Sequence, residues 1–337
     1  MSQLTQDGRA ADGPLDPAEI APPESAPAAP QDRSSGHPSM LRMLLRDRFA
    51  CTGAVILVLV FLTAIFGPVL MGPLDTRQDL MFANKPPFDP ANGWEYILGS
   101  DSLGRSLLAR LVVATRTTLL VSVPAVLIAM LIGSLWGVWA GYHRGWRENA
   151  SMRVADVIMS FPSLLLAVVV LYVFSPSIAN IVLILAITRI PIYLRTARAE
   201  SAELQSRTFV DAARTFGARP NTIIRRHVIP VVIPSILTLA TLEFCYVMLA
   251  ESSLSFLGIG IQPPDVSWGL LVAQGRQYLQ TAWWLSIFPG VAIVVTAISA
   301  NMLAAWLRIA TDPSQRWRLT LAKRKKFIVR TDSQESK

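Results

Sequence analysis

Residues 209–230 read FVDAARTFGARPNTIIRRHVIP, a polar segment that lies between segments apolar enough to cross a lipid bilayer. Its apolar residues recur at helical spacing and form one stripe: Phe209, Ala212, Ala213 and Phe216. Gly217 then supplies the left-handed residue that commonly ends a helix, and Pro220 suits the first turn of the next helix. The segment therefore predicts a short helix, a sharp turn and a second helix leading into a membrane span.

The stripe needs a partner, because a helix of two turns is marginal in water. The segment itself stays out of the hydrocarbon, where each arginine would cost about 2.5 to 3.5 kcal/mol. Two partners remain open on periodicity alone. One is the ends of the protein's own spans, and the other is a separate cytoplasmic subunit.

The chain as a whole has the composition of a polytopic membrane protein. Of its 337 residues, 52% are hydrophobic and 16% charged, and its mean hydropathy is +0.42, too apolar for an ordinary soluble domain. A span needs about 20 apolar residues. Six windows qualify and predict an all-α fold of six transmembrane helices: about 51–71, 118–140, 154–174, 177–194, 231–257 and 283–307.

The two ends of the chain are polar tails that flank a transmembrane domain over 40–312. Residues 1–39 hold seven prolines and few large apolar residues, which predicts a disordered tail, and residues 313–337 form a basic tail. Lysine and arginine accumulate after the second span, in the segment between the fourth and fifth spans, which contains the loop of about 200–230, and after the last span. The positive-inside rule therefore predicts that both termini and this loop are cytoplasmic.

One segment on the predicted outer side fits this orientation less well, because it carries Arg105, Arg110 and Arg116. Leucines recur between them at helical spacing. The segment is either an amphipathic helix lying on the outer interface, with snorkelling arginines, or an early start of the second span.

Signatures of catalysis and of cofactor binding are missing from the sequence. There is no phosphate-binding Gly-Lys-Ser/Thr loop, no Gly-x-Ser-x-Gly and no His-Glu-x-x-His, and the three histidines lack metal-ligand spacing. Cys51 and Cys245 both fall within apolar spans. Because lysine and arginine flank apolar spans rather than alternating with aromatic residues, the chain is not expected to bind nucleic acid. We therefore expect a non-catalytic membrane subunit with no metal or cofactor of its own.

Two acids lie within the fifth predicted span. Glu243 and Glu251 are eight residues apart, within about 80° of each other on a helix. Their common face could line a pathway for a solute with a free amine, since intramembrane acids are functional by default. Structural pairing with buried arginines is the alternative.

The opening segment resembles the EAA loop of the inner-membrane permeases of ABC importers. The residues at the motif positions are Asp211, Ala212, Ala213, Gly217, Ile229 and Pro230, with Asp211 in place of the usual glutamate. Over about 40–315, four further blocks are similar in order and spacing to the C-type permease of the peptide/nickel importers: LGSDSLGRSLLARL, AGYHRGWRENASMRVADVIMSFPSLLLA, ESSLSFLGIGIQPPDVSWGLLVAQGRQYL and FPGVAIVVTAISANMLAAWLRIATDP.

This resemblance implies the type I ABC importer fold, a site in the inner membrane, and a set of partners. Those partners are a B-type permease, two ATPase subunits that bind ATP and magnesium, and an external solute-binding protein that delivers short peptides, glutathione or nickel. The residues implied to dock to the ATPase are Phe209, Asp211, Ala212, Ala213, Phe216, Gly217, Ile229 and Pro230. An ion-coupled secondary transporter is the rival class, which would place ionisable groups or broken helices near the midplane and often show an internal repeat.

Overall fold

The computed structural model describes residues 43–45, 47–174 and 177–311, and the predicted tails at 1–39 and 313–337 lie outside these ranges. No β-strand occurs within the described ranges. The principal helices are α1 (Arg48–Asp75), α2 (Leu107–Tyr142), α3 (Trp146–Met159), α4 (Ser163–Phe174), α5 (Ile178–Gln205), α6 (Thr208–Thr215), α7 (Pro220–Ile223), α8 (Ile229–Phe256), α9 (Trp268–Gly275) and α10 (Trp284–Thr311).

Five of these helices are long and apolar enough to cross a membrane, counting α8 together with the turns that lead into it. Four correspond to the predicted spans at 51–71, 118–140, 231–257 and 283–307. The fifth, α5, runs well beyond the predicted end at residue 194, because the helix continues through Pro191 to Gln205. Its C-terminal half therefore leads the chain directly to the polar segment at 209–230.

The third predicted span, 154–174, is wrong as a single straight helix. The chain forms α3 and α4, which are bent by 79° at residues 160–162. Pro162 explains the break, because its ring clashes with the preceding turn and it lacks a backbone N–H to continue the ladder. With 12 residues, α4 is about 18 Å long and is shorter than the hydrocarbon by itself. Together, α3 and α4 are a sixth candidate crossing only as one bent pair.

The early start of the second span is correct, and the interfacial amphipathic helix is not. Ser106 caps α2 by accepting a hydrogen bond from the amide of Ala109. At 36 residues, α2 is about 54 Å long, so its first turns extend beyond the hydrocarbon. Arg110 does not snorkel: it is buried and binds the Asp101 carboxylate at 2.9 Å and the Gln274 amide oxygen at 2.9 Å.

The tightest helix pair is α2 against α5. Glycines recur every fourth residue along α2, at positions 133, 137 and 141, and each faces the backbone of α5. A Cβ at Gly137 would collide with the carbonyl oxygen of Leu194 and lie 2.9 Å from the Cβ of Ala197. Small residues at this spacing let two helix backbones touch, which is a common way to join helices within a bilayer. By contrast, α1 leaves most of its apolar surface exposed.

Candidate functional site

The polar segment between α5 and α8 forms the helix, turn and helix predicted from the sequence. Helix α6 ends at a Schellman motif, in which Ala218 N–H donates to the Ala213 carbonyl at 3.0 Å and Gly217 N–H donates to the Arg214 carbonyl at 2.9 Å. Gly217 has the left-handed φ of +79° that this turn requires. The turn connects α6 to α7 across residues 216–219.

Beyond the turn, the chain enters α8 without a break in helical structure. Pro220 occupies the first turn of α7, and a π-helical turn at Ile224–Val228 follows before α8 begins at Ile229. This turn projects the basic residues 225–227 from the surface, while Ile223, Ile224 and Val228 are buried in the main apolar core. The loop is therefore continuous with the end of a span.

One face of α6 packs against the protein itself. Val210 is completely buried, Ala213 packs against the same core, and the Arg214 guanidinium lies 5.5 Å from the ring centre of Tyr142, the last residue of α2. This face accounts for the stability of so short a helix. Of the two partners left open by the sequence, the protein's own helix ends thus cover part of α6.

The neighbouring face of α6 is apolar and uncovered in this chain. Phe209 is 43% exposed and Phe216 is 90% exposed, with Ala212 between them. At 100° per residue these three side chains lie on one stripe next to the inward face. Large exposed aromatic residues on one stripe are typical of a protein interface.

The structure thus separates the eight residues predicted to dock. Phe209, Ala212, Phe216 and Gly217 lie on the exposed surface, and Asp211 is exposed as well, 3.3 Å from Arg214 of its own helix. By contrast, Ala213 and Ile229 pack against the core of this chain. Pro230 is exposed at the start of α8.

Polar contacts attach the end of α5 to α2 and α3 next to the loop. Ser201 Oγ donates to the Val138 carbonyl at 3.0 Å, and Gln205 Nε2 donates to the Tyr142 carbonyl at 2.8 Å. Arg198 forms an ion pair with Glu148, which is buried on α3. The end of α5, from which the loop starts, is therefore held by contacts with both α2 and α3.

Sequence reasoning missed the inward-facing residues, above all Val210 and Tyr142. Val210 and Ala213 are three residues apart and could have been read as a second stripe that overlaps the first. No sequence signal pairs Arg214 with Tyr142, because the two residues are separated by more than 70 positions.

The two acids of α8 lie in different surroundings rather than on one open face. Glu251 is fully buried and accepts hydrogen bonds from Ser255 Oγ at 2.8 Å and Ser252 Oγ at 3.4 Å. Glu243 is 7% exposed and faces Arg189 of α5, with 3.6 Å between Oε2 and Nη1. Both acids lie on the continuous helix α8 at the spacing given by the sequence, and their pathway role stays a prediction.

A polar cluster surrounds this Arg189–Glu243 pair. The Arg189 guanidinium stacks 3.8 Å from the ring centre of Tyr246, whose hydroxyl is 2.9 Å from Ser163 Oγ at the start of α4. A cavity of about 230 Å³ opens beside Arg189, between the α3–α4 break and α5. Within the described residues, no group of histidine, cysteine or acidic side chains could hold a metal ion.

Comparison with known proteins gives matches along most of the chain. The family model described as binding-protein-dependent transport system inner membrane component matches residues 133–316, and the N-terminal transmembrane domain of oligopeptide transport permease C matches residues 39–87. The probable D,D-dipeptide transport system permease protein DdpC of Escherichia coli K12 is 35% identical over 291 residues, covering 86% of this chain and 96% of that protein.

Two further relatives are glutathione transport system permease proteins named GsiD. The one from Escherichia coli O1:K1 is 36% identical over 272 residues, covering 81% of this chain and 88% of that protein. The one from Pectobacterium atrosepticum is 34% identical over 272 residues, covering 81% of this chain and 89% of that protein.

Proposed function

The chain belongs to the inner-membrane permeases of binding-protein-dependent transport systems, and from that premise we propose that it forms, with a second permease, the translocation pathway of an ATP-driven importer of short peptides. It is a non-catalytic membrane subunit of the C type. The class of solute follows from the relatives, whose names give D,D-dipeptides and glutathione. Both are small molecules that carry peptide or amide bonds and free carboxylates.

The observation that carries the proposed coupling to ATP is the divided surface of α6. One face packs into the core of this chain through Val210 and contacts Tyr142 of α2 through Arg214, and the next face presents Phe209, Ala212 and Phe216 to the outside. A cytoplasmic ATPase that receives this exposed stripe in a cleft would pull on α6, and α6 would pull on α5 and α8. Binding of ATP by the partner and opening of the pathway are then coupled through one contact.

The partners and the orientation belong to the same proposal. A B-type permease completes the pathway, two ATPase subunits dock at α6 and its counterpart in that permease, and an external binding protein delivers the solute. Both termini lie in the cytoplasm of a cell whose inner membrane holds the complex, as the positive-inside rule predicts. ATP and magnesium bind to the ATPase subunits, and this chain needs no cofactor.

An ion-coupled secondary transporter is the rival function, and two features of the fold are of the kind that such carriers use. They are the broken third span and the Arg189–Glu243 pair halfway along the spans. The source of energy separates the two functions. Proteoliposomes with ATP inside and binding protein outside should import peptide when a protonophore has collapsed the ion gradients, and orthovanadate should stop them. Uptake that follows the ion gradient and ignores ATP would make the chain a secondary carrier.

Docking through α6 is tested by a matched pair of substitutions at one exposed position. Ala212→Arg places a charge on the proposed interface without touching the core of this chain. Burying an unpaired charge costs several kcal/mol, so uptake and stimulated ATP hydrolysis should fall by about tenfold or more. Ala212→Ser changes the volume little and should retain both activities.

The subunit should remain in the membrane and paired with the second permease in both variants. Copurification of the ATPase with each variant measures the contact directly. If Ala212→Arg binds the ATPase and transports as well as Ala212→Ser does, the stripe is not the docking surface.

A further inference from the structure

The polar cluster around Arg189 lies deep within the spans. Arg189 is 11 residues after the first residue of α5, about 17 Å along its axis, and Glu243 is 14 residues after the first residue of α8, about 21 Å along its axis. Both positions fall near the middle of a hydrocarbon layer of about 30 Å. An arginine at such a depth normally marks a substrate or ion pathway.

The exposed edge of this cluster carries a polar group among apolar side chains. Tyr246 is 39% exposed and carries its hydroxyl toward Ser163, while Met159 and Phe161 at the mouth of the cavity are about half exposed. The α3–α4 break lies at the same place. Irregular backbone at membrane depth occurs where it is covered by protein or lines a water-filled space. This face therefore meets the second permease or the pathway between the two.

Arg189 has donor capacity that this chain does not use. Its ion pair with Glu243 is a single contact at 3.6 Å, and its Nε is buried without a hydrogen-bond partner. Next to it, the cavity of about 230 Å³ is lined by two hydroxyl side chains, Ser163 and Thr188. A guanidinium binds a carboxylate through two parallel hydrogen bonds. Thr188 Oγ1 already donates to the Leu185 carbonyl, whereas Ser163 Oγ can accept from the Tyr246 hydroxyl and donate its own proton to the carboxylate.

We propose that this cavity is a transient binding site for a carboxylate of the transported solute, such as the C-terminus of a peptide. Arg189 donates to the carboxylate, and Glu243 positions the guanidinium from the other side. Because Glu243 already compensates the charge of Arg189, the carboxylate competes with an existing pair and is held weakly. Weak binding suits a site that the solute must leave again. This inference rests on the proposed peptide import and names the chemical group that the pathway recognises.

The test compares two peptides that differ only in the proposed group. The complete transporter, reconstituted in proteoliposomes, is supplied with trialanine or with trialanine amide, and the ratio of their initial uptake rates is measured. The binding protein is the same in every sample, so its own preference cancels when the ratios of variant and wild type are compared. Arg189→Gln with Glu243→Gln removes both charges together and leaves no unpaired ion. This double variant should lower the acid-to-amide ratio by about tenfold or more, the effect of losing a charge-assisted contact.

Two further variants control for folding and for charge. Arg189→Lys keeps the positive charge and the pair with Glu243, but an ammonium cannot hold a carboxylate by two parallel bonds. It should lower the ratio by a smaller factor of about three to ten. Arg195→Gln with Asp156→Asn removes an exposed ion pair from the same helix α5. It should leave the ratio unchanged.

The outcomes separate this site from the function on which it rests. A wild-type complex that imports neither peptide contradicts the proposed function, and the site is then rejected with it. A wild-type complex that imports trialanine, together with charge-neutral and lysine variants that keep the wild-type ratio, overturns the site alone. A ratio that falls in both Arg189 variants and holds in the Arg195 control supports it.

Discussion

Ser201 on α5 donates a 3.0 Å hydrogen bond to the carbonyl of Val138 on α2, one residue after the glycine at which the two backbones come closest. The contact is buried on both sides. It lies between the membrane-embedded part of the helix pair and the exposed α6. The close approach of α2 and α5 therefore extends to the point where the proposed docking loop begins.

This close approach can be tested at Gly137. Gly137→Ala inserts a methyl group against the Leu194 carbonyl and Ala197, and such overpacking costs about 1 to 3 kcal/mol. Gly290→Ala is the control, because a Cβ there meets nothing within 4 Å. Heating the detergent-solubilised complex and measuring the fraction that stays monodisperse should give a lower midpoint for Gly137→Ala only. Equal midpoints would mean that the helices separate without cost.

The turn after α6 depends on the backbone of Gly217 rather than on space around it. Its φ is +79°, and an added Cβ would meet nothing within 4 Å. Gly217→Val should therefore cost about 1 to 2 kcal/mol in left-handed strain, whereas Gly217→Asn, which tolerates this conformation, should cost less. Gly217→Pro also removes the N–H that donates to Arg214.

Uptake and ATPase copurification measured across this series should fall in the order Asn, Val, Pro. If the Gly217→Pro variant transports peptide as fast as the Gly217→Asn variant does, the Schellman turn is not needed for coupling.

Asp101 is expected to be the most sensitive acid on the predicted outer side. Its carboxylate accepts from Arg105 Nε at 2.7 Å and Arg110 Nη1 at 2.9 Å. Asp101→Ala leaves Arg110 buried without its anion, which typically costs about 3 to 5 kcal/mol. Asp156→Ala breaks an exposed pair with Arg195 and should cost about 0 to 1 kcal/mol. The thermal midpoints of the two variants, measured side by side, check the difference. Similar decreases would show that the buried pair stabilises the protein no more than the exposed pair does.

Glu251 is expected to stabilise the loop after α8 through Ser255. Ser255 Oγ, which donates to this carboxylate, also accepts the amide of Ile261 at 3.0 Å. Glu251→Gln keeps an acceptor of the same size and should retain uptake of cationic and neutral peptides alike. Glu251→Ala leaves buried hydroxyls without a partner and should destabilise the protein by about 1 to 3 kcal/mol. A selective loss of cationic peptides in Glu251→Gln would instead place this acid in the pathway.

Local chemistry made the loop predictable. Gly217 and Pro220 are signals for a helix end and a helix start, and both act within a few residues, so the turn could be placed from the sequence. The family was also evident from the ordered motifs. The inner face of α6 was not, because Phe209 and Val210 compete to define the stripe and only the position of Tyr142 in space decides between them.

Long-range pairs account for the remaining errors. In the sequence alone, Arg189 argues against a transmembrane helix at this position. In the fold, it contacts Glu243 and Tyr246, which are more than 50 positions away in sequence. The apolar run at 154–174 hides the break at Pro162, since proline is tolerated in many spans and composition does not show where a helix bends.

The glycine contact between α2 and α5 also limits how this subunit can deform. Two backbones in direct contact cannot shift along each other by a fraction of a turn without collision, so the pair has to tilt as one stiff lever. If an ATPase docks at α6 as proposed, a displacement of the cytoplasmic end of α5 would be transmitted along this helix toward Arg189. The 79° bend at residues 160–162 lies outside this helix pair and next to the cavity, so a change in its angle would change the shape of the cavity.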